Sequence, residues 1–160
     1  MRTFLLIFIS LLFITIKTAA QPKCEIRATW ITTLGGMDWP RNKATNANGI
    51  RRQQQELRDI LDQLKEANFN TVMLQTRLRG DLIYPSAFET FPEALTGKTG
   101  RNPGYDPLAF AIEECHKRGM EIHAWMVAVP LGGDDVHKEL GSLSITKQHR
   151  ALCKKYRNNW

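Results

Sequence analysis

The stretch Asn70-Thr-Val-Met-Leu-Gln-Thr-Arg77 predicts a β-strand with two unlike faces. Successive side chains of a strand point to opposite sides, so every second residue shares a face. One face carries Val72, Leu74 and Thr76, and the other carries Met73, Gln75 and Arg77. Helices have to cover one face with apolar contacts. The face with the polar residues is therefore expected to point into the interior of a barrel.

The chain before this stretch predicts a strand followed by a helix. Residues 25–32 are rich in β-forming side chains and end before a loop with glycine, proline and asparagine. The apolar residues Leu57, Ile60, Leu61 and Leu64 then recur at helical spacing. We expect this helix to stop near Asn68, directly before the strand at Asn70.

The chain after this stretch predicts a second helix and a third strand. Asp106 and Pro107 suit the N-cap and first position of a helix, and Gly119 suits its left-handed end. Residues 120–129 form an apolar run that we interpret as the third strand. On that strand Glu121, His123 and Trp125 share one face and are expected to join the polar interior.

Strands that alternate with helices through tight junctions predict parallel pairing in an α/β fold. No Gly-x-Gly-x-x-Gly pattern follows the first strand, where Trp39 and Pro40 stand instead, and this disfavours an open dinucleotide-binding sheet. We therefore predict a partial (β/α)8 TIM barrel of about three βα units. Eight units need about 250 residues, so residues 21–160 are expected to be the amino-terminal part of a longer, here truncated, domain.

A loop of 28 residues, 78–105, joins the second strand to the second helix. It contains four aromatic side chains, three prolines and four glycines. Irregular loops of this length inside a compact domain are usually functional. In a barrel it would lie at the carboxyl ends of the strands, where such folds build their active sites.

The first twenty residues have the composition of a secretory signal peptide. Arg2 precedes an apolar run that ends before Lys17, and small residues stand before Gln21. The run is shorter than the roughly 20 apolar residues of a spanning helix, although an uncleaved anchor is the alternative. We expect cleavage near Ala20, a secreted or periplasmic location and no stable membrane anchor afterwards.

Charge and cysteine content exclude several classes of partner. Cleavage would lower the net charge from +6 to +4, because two basic residues are lost, and the remaining ones are scattered rather than grouped for nucleic acid. Cys115 falls on the apolar side of a predicted helix, so Cys24 with Cys153 is the one disulfide pair to consider. No metal-ligand spacing occurs, and no cofactor is expected.

Five ordered blocks resemble glycosyl-hydrolase-like family 10 proteins, from about Glu25 to Trp160. They are Thr29-Trp-Ile-Thr32, Met37-Asp-Trp-Pro40, the block from Gln75 to Ser86, Pro103-Gly-Tyr-Asp-Pro-Leu-Ala-Phe110 and His123-Ala-Trp125. The resemblance is to the amino-terminal part of the domain in secreted bacterial members. It implies a (β/α)8 domain that acts on O-glycosidic bonds of polysaccharide, with relatives that cleave peptidoglycan glycan strands.

The same resemblance implies that the main catalytic acids lie beyond this chain. Members of the family carry an acidic pattern like Asp-Gly-hydrophobic-His-Phe-Asp on the fourth strand, downstream of residue 160. After the His-Ala-Trp block they commonly have Asn-Pro-Tyr-Arg, whereas this chain has Met126-Val-Ala-Val-Pro-Leu-Gly132. The chain by itself is therefore expected to be an inactive fragment of a glycoside hydrolase, and we predict no catalytic residue within it.

Substrate-binding residues are predicted from polar and aromatic side chains near the strand ends. The set is Trp39, Arg77, Arg79, Asp81, Tyr84, His123 and Trp125. Flat aromatic faces suit sugar rings, and charged side chains suit hydroxyl groups.

Each of these residues also has a structural interpretation. Asp81 can form an ion pair with Arg77 or Arg79 that shapes the loop and lowers its carboxyl pKa, which suits a general acid poorly. Asp38 can cap a turn, His123 can be a hydrogen-bonded core residue, and the aromatics can be packing. At the level of the whole protein, a non-catalytic carbohydrate-binding barrel is the alternative to a hydrolase. A metal-dependent hydrolase is disfavoured because the first strand ends in Trp30-Ile-Thr32, without histidine.

Overall fold

A computed structural model describes residues 25–160, and the predicted signal peptide and Cys24 lie outside this range. The described chain is a mixed α/β structure built on three parallel strands in the order β1-β2-β3. These strands are β1 (Ala28–Ile31), β2 (Thr71–Arg77) and β3 (Glu121–Met126). All three lie where the sequence predicts them, with slightly narrower bounds. The parallel pairing that was inferred from the strand-helix alternation is confirmed.

Helices connect the strands and continue after the last one. Helix α1 (Ala47–Glu66) joins β1 to β2, and α2 (Glu93–Thr96) and α3 (Pro107–Lys117) join β2 to β3. After β3 follow α4 (Asp134–Leu140) and α5 (Ile145–Gln148). Short 3₁₀ turns occupy Leu34–Gly36, Gly141–Leu143 and Arg150–Leu152. Within residues 25–160, no helix combines the length and apolar composition needed to cross a membrane.

The ends of the two long helices follow from local chemistry. Asn46 begins α1 by accepting the backbone N–H of Gly49 at 2.9 Å. Asp106 begins α3 by accepting the backbone N–H groups of Leu108 and Ala109 at 3.0 Å each, as predicted. Each bond satisfies an amide that has no partner inside the helix. Beyond the helix ends, Asn68 and Gly119 adopt positive φ of 63° and 62°, which turns the chain into the next strand.

The core lies between the sheet and helices α1 and α3. Val72 and Leu74 of β2 meet Leu57 and Leu61 of α1, and all four are at most 1% exposed. Burying each such side chain stabilises the fold by about 1.5–3 kcal/mol. Cys115 of α3 belongs to the same core, as predicted, and burial raises the pKa of its thiol to about 11. A thiol that stays protonated in an apolar setting is inert.

A buried carboxylate links the two long helices. Glu114 of α3 is 4% exposed and accepts hydrogen bonds from Arg118 at 2.8 Å and Lys117 at 3.0 Å. Arg58 of α1 approaches it to 3.4 Å. Burial opposes ionisation of Glu114, but the bonds from Arg118 and Lys117 outweigh it and lower the pKa to about 2. The network remains ionised through the physiological range and fixes how α1 and α3 pack.

The long loop after β2 is more ordered than the sequence suggests. It contains α2, and Gln53 of α1 ties it to the rest of the fold. The Gln53 amide nitrogen donates to the carbonyl oxygens of Asn42 at 2.6 Å and Leu95 at 3.0 Å. Its amide oxygen accepts from the Tyr105 hydroxyl at 2.6 Å. One buried side chain thereby holds the loops after β1 and β2 together. Helix α4 was missed because its polar sequence lacks an apolar stripe.

Candidate functional site

The face of the sheet opposite the helices carries aromatic and polar side chains. In the register of the sheet, Trp30 lies beside Met73, and Met73 lies beside His123. Gln75 lies beside Trp125 one step closer to the carboxyl ends of the strands. Neighbouring partners in a sheet share a face, and the alternate residues Val72 and Leu74 pack on the helices. The predicted division of β2 and β3 into two faces is confirmed as far as Gln75 and Trp125. Beyond them a register shift pairs Arg77 with Met126, which is 50% exposed, so the alternation does not continue to the end of β3.

Two tryptophans form an aromatic cluster on this face. The rings of Trp30 and Trp125 meet edge to face, with centroids 5.1 Å apart and planes 85° apart. Trp125 is partly buried, whereas Trp30 is 60% exposed. This is the face that the sequence predicts to point into a barrel, so both rings would lie at the interior surface of a complete domain. Trp30 was absent from the predicted set, although the alternation of β1 places it on the same face.

His123 lies beside this cluster and remains open to solvent. Its side chain is 55% exposed, and its Nε2 atom lies 3.6 Å from a carboxylate oxygen of Glu121. That separation is too long for a hydrogen bond. In the described three-strand sheet the imidazole is therefore accessible and has no hydrogen bond to Glu121. It can donate to or accept from a bound hydroxyl group.

Gln75 fixes the end of β1 against β2. Its side-chain oxygen accepts from the Thr32 hydroxyl at 2.7 Å and from the Thr33 amide at 3.0 Å. The backbone amide of Thr32 donates in turn to Asp38 at 2.8 Å. Gln75 is 2% exposed, so it holds the loop and is closed to a ligand. Asp38 is a turn-capping residue, as its structural interpretation predicted.

Arg77 is a structural clamp rather than an open substrate contact. Its guanidinium forms two parallel bonds to the Glu89 carboxylate, at 2.7 and 2.6 Å, and both side chains are under 10% exposed. It also donates to the carbonyl oxygens of Val127 and Ala128 beyond β3. The ion pair that shapes the loop is therefore Arg77 with Glu89, and the predicted pairing with Asp81 is wrong. With its donors used inside the protein, Arg77 offers little to a sugar.

Asp81 and Arg79 do not form the side-chain ion pair that was one of the predicted alternatives. Within residues 25–160, no side-chain ion pair joins Asp81 to an arginine; the backbone N–H of Arg79 lies 3.4 Å from its carboxylate. Burial raises the pKa of Asp81, and this outweighs the opposing influence of Arg79. The expected net lowering of this pKa is therefore wrong: the charges of Arg79 and Arg77 lower it, but burial has the larger effect. Arg79 itself is exposed, and its aliphatic stem packs close to Gly132.

The prediction that Trp39 offers a flat face to a sugar is also wrong. The side chain is fully buried, belongs to the core and donates its indole N–H to the carbonyl oxygen of Gln53 at 3.0 Å. Helix α1 covers the ring because the loop after β1 folds back under it. The predicted aromatics were Trp39, Tyr84 and Trp125. Tyr84 lies in the loop after β2 and is partly buried.

A cavity of about 270 Å³ lies at the carboxyl ends of the strands. The loops after all three strands contribute to it, with Arg79, Asp81, Glu93 and Glu139 among its lining residues. Carboxyl and guanidinium groups together provide the acceptors and donors that polyhydroxylated ligands need. Glu93 and Glu139 were not predicted, because no periodic pattern places their segments. Among the described residues, no group of three or more His, Cys, Asp or Glu side chains is arranged to hold a metal ion.

A second cavity of about 610 Å³ lies along the free edge of β1 and against α1. It includes Trp30 and Asp38 together with charged residues of α1. Most of the residues that line it belong to α1, on the helix side of the sheet. We therefore place the candidate ligand surface on the aromatic face and at the strand ends rather than in this groove.

Three parallel strands with helices on one face and aromatic side chains on the other define a mixed α/β protein. The chain belongs to the Glycosyl hydrolase-like 10 family, whose profile matches residues 25–158. The resemblance inferred from the five sequence blocks is thereby confirmed.

Similar proteins carry names that agree with this assignment. The chain is 44% identical over 106 residues to "Glycosyl hydrolase YngK" of Bacillus subtilis, which covers 66% of this chain and 20% of that protein. It is 40% identical over 112 residues to "Glycosyl hydrolase DigH" of Escherichia coli, which covers 68% of this chain and 26% of that protein. A protein of the same name from Shigella flexneri matches equally. The chain thus spans about a fifth to a quarter of the length of these relatives.

Proposed function

We propose that the full-length protein is a secreted glycoside hydrolase with a (β/α)8 domain, and that this chain supplies its first three βα units. The substrate class we propose is polysaccharide, with peptidoglycan glycan strands as the first candidate. Family membership and the names of the two relatives support the hydrolase class. The observation that carries our sugar-binding assignment is the edge-to-face pair of exposed Trp30 with partly buried Trp125, next to His123, on the sheet face that we expect to line the barrel.

The chemistry of this surface suits a sugar ring. A pyranose has an apolar face of C–H groups that packs on an indole, and hydroxyl groups around its rim that need donors and acceptors. Trp30 supplies the exposed indole, and Trp125 holds it by an edge-to-face contact. His123, two strands away from Trp30 in register and on the same strand as Trp125, is free to bond a rim hydroxyl. This surface positions a glycan.

Bond cleavage needs more than the described residues provide. Glycoside hydrolysis generally uses two carboxyl groups, about 5 Å or about 6.5–9.5 Å apart according to stereochemical outcome. Asp38 is engaged with a backbone amide, and Asp81, Glu93 and Glu139 stand beside a small cavity rather than on the aromatic face. We therefore propose that the principal acid pair comes from the sequence beyond residue 160. Accordingly, we expect the 160-residue chain alone not to hydrolyse glycan.

The sugar-binding assignment predicts a loss of affinity in a tryptophan variant. In the protein that carries the complete domain, Trp125→Ala is expected to weaken binding of muropeptide-derived glycans by about 1–3 kcal/mol, because the aromatic cluster that contacts the ring collapses. Isothermal titration calorimetry measures the effect. Tyr156→Ala removes another exposed aromatic side chain and is the matched control, with unchanged affinity expected. Equal affinities in wild type and Trp125→Ala would assign Trp125 to packing.

Hydrolysis by the same preparation separates the two functional classes. Release of reducing ends from glycan strands by the wild-type protein supports the hydrolase. Binding that depends on Trp125 without any release of reducing ends would instead assign a non-catalytic carbohydrate-binding barrel. Either outcome leaves the aromatic surface as a binding site, so the two questions are answered independently.

Export is the last part of the proposal. The amino-terminal sequence motivates it, with a positive residue, an apolar run and small residues before Gln21. We expect the mature protein to begin at or near Gln21 and to occur outside the cytoplasm. Amino-terminal sequencing of protein from the medium or periplasm is the measurement. A mature protein that still begins at Met1 would contradict the assignment.

A further inference from the structure

A cavity between α4, α5 and the Trp160 side chain has a cationic wall. Its volume is about 570 Å³, and Lys138, Lys147 and Arg150 line it. Within residues 25–160, none of the three forms a salt bridge within 4.0 Å. The guanidinium of Arg150 lies over the Trp160 ring at 4.1 Å and is thereby held at the wall. Three cationic side chains around one cavity create a local potential that favours anions.

The acidic residue of this cavity does not offset that potential. Asp134 lines the wall, and its carboxylate is bonded to Lys155 and to the indole N–H of Trp160. Hydrogen bonds from Lys155 and Trp160 lower the pKa of Asp134. The carboxylate is therefore ionised and already paired with its own cation. Lys138, Lys147 and Arg150 remain as the surplus charge.

One ring nitrogen of a buried imidazole in the same wall lacks a hydrogen-bond partner. His137 is 5% exposed, and its Nδ1 atom lies 2.7 Å from the Ser144 hydroxyl. That hydroxyl also lies 2.7 Å from the Thr146 hydroxyl and accepts the Thr146 amide at 3.2 Å. A hydroxyl has one proton and two lone pairs, so these contacts use its whole capacity. Ser144 thus accounts for Nδ1, whereas Nε2 is buried and unpartnered.

Buried polar atoms in folded proteins nearly always have a partner, and each exception requires an explanation. We assign the Ser144 proton to Nδ1 and the Thr146 hydroxyl as donor to Ser144, so that Nε2 carries the imidazole proton and lacks an acceptor. The cationic wall favours an acceptor that carries negative charge. A cation is repelled by three like charges. A neutral sugar gains no electrostatic benefit, and the Trp160 ring, with Arg150 on its face, is not free for stacking.

We propose that this cavity binds a small oxyanion, a phosphate or carboxylate group, with Lys147 and Arg150 as cationic contacts and His137 Nε2 as a hydrogen-bond donor. The nitrogen is closed in the unliganded conformation, beneath a Trp160 ring that meets the imidazole edge to face at 6.3 Å. Binding therefore requires a small shift of the indole or the imidazole. The site lies outside the aromatic surface and does not depend on the proposed hydrolase activity.

Isothermal titration of the purified chain with inorganic phosphate, and separately with acetate, tests the proposal. We expect saturable binding of at least one of the two, and a loss of about tenfold or more in the Arg150→Gln variant, the range for a charged hydrogen bond. Arg150 is exposed, so this substitution is compatible with folding, which circular dichroism verifies. Lys154→Gln makes the same charge change at an exposed residue outside the cavity and should keep wild-type affinity.

A second measurement connects binding with the buried imidazole. The ring nitrogen signals of His137 in a ¹⁵N NMR spectrum are expected to move on titration with the bound anion, in proportion to the calorimetric saturation. Saturable binding to neither anion would overturn the proposal. Equal losses in Arg150→Gln and Lys154→Gln, or binding that leaves the His137 signals unmoved, would overturn it as well, because the anion would then be attracted by net charge elsewhere.

Discussion

Arg77→Ala is expected to lower the free energy of unfolding of the chain by about 3–5 kcal/mol, the cost of breaking a buried ion pair from one side. The substitution leaves the Glu89 carboxylate, with an 8% exposed side chain, without its bidentate partner. It also removes the donor to the carbonyl oxygens of Val127 and Ala128. The loop after β2 and the segment after β3 thus lose the group that joins them.

Denaturant titration followed by circular dichroism measures this loss. Glu113→Gln is the control, because it breaks the exposed pair with Lys117 on the surface of α3 and should leave the midpoint unchanged. The double variant Arg77→Met with Glu89→Leu should recover much of the loss, since neither charge is then buried alone. A midpoint for Arg77→Ala that equals the wild-type value would contradict the clamp and return Arg77 to the set of ligand contacts.

The order and positions of the strands and long helices could be predicted because the sequence patterns that specify them are local. The alternation in β2, the helical spacing from Leu57 to Leu64 and the Asp106-Pro107 start of α3 act within a few residues of one another. Each predicted the element that the structure contains. The same alternation placed Trp125 and His123 on the face away from the helices, and it applies equally to Trp30, whose exclusion from the predicted set had no physical reason.

The ion-pair partners could not be predicted, because they depend on how an irregular loop returns to the sheet. Glu89 lies twelve residues after Arg77 in a segment without periodicity, whereas Asp81 lies only four residues after it. Proximity in sequence favoured the wrong carboxylate. The direction of the Asp81 pKa could not be predicted either, because burial of the carboxyl group, which depends on the fold of the loop, outweighs the charges of Arg79 and Arg77.

The burial of Trp39 is likewise a tertiary property. Its position after β1 predicted an open strand end, and nothing in the local sequence indicates that Gln53, fourteen residues later in α1, supplies a carbonyl acceptor for the indole. The tryptophan that is open to solvent is therefore Trp30 and not Trp39. The residue within the strand is 60% exposed, and the residue in the loop is fully buried.

Trp39→Ala is accordingly expected to lower the free energy of unfolding by about 3–5 kcal/mol, the range for emptying a buried aromatic site. Trp39→Phe should cost about 1–3 kcal/mol, because a ring still fills most of the space while the Gln53 carbonyl loses its indole donor. Denaturant titration of the chain gives both values. The folded Trp39→Phe variant of the complete protein should bind glycan with wild-type affinity, opposite to the behaviour expected of Trp125→Ala. Weakened glycan binding in Trp39→Phe with unchanged stability would show instead that the Trp39 ring contacts the ligand, because a loss of core packing would have lowered the stability as well.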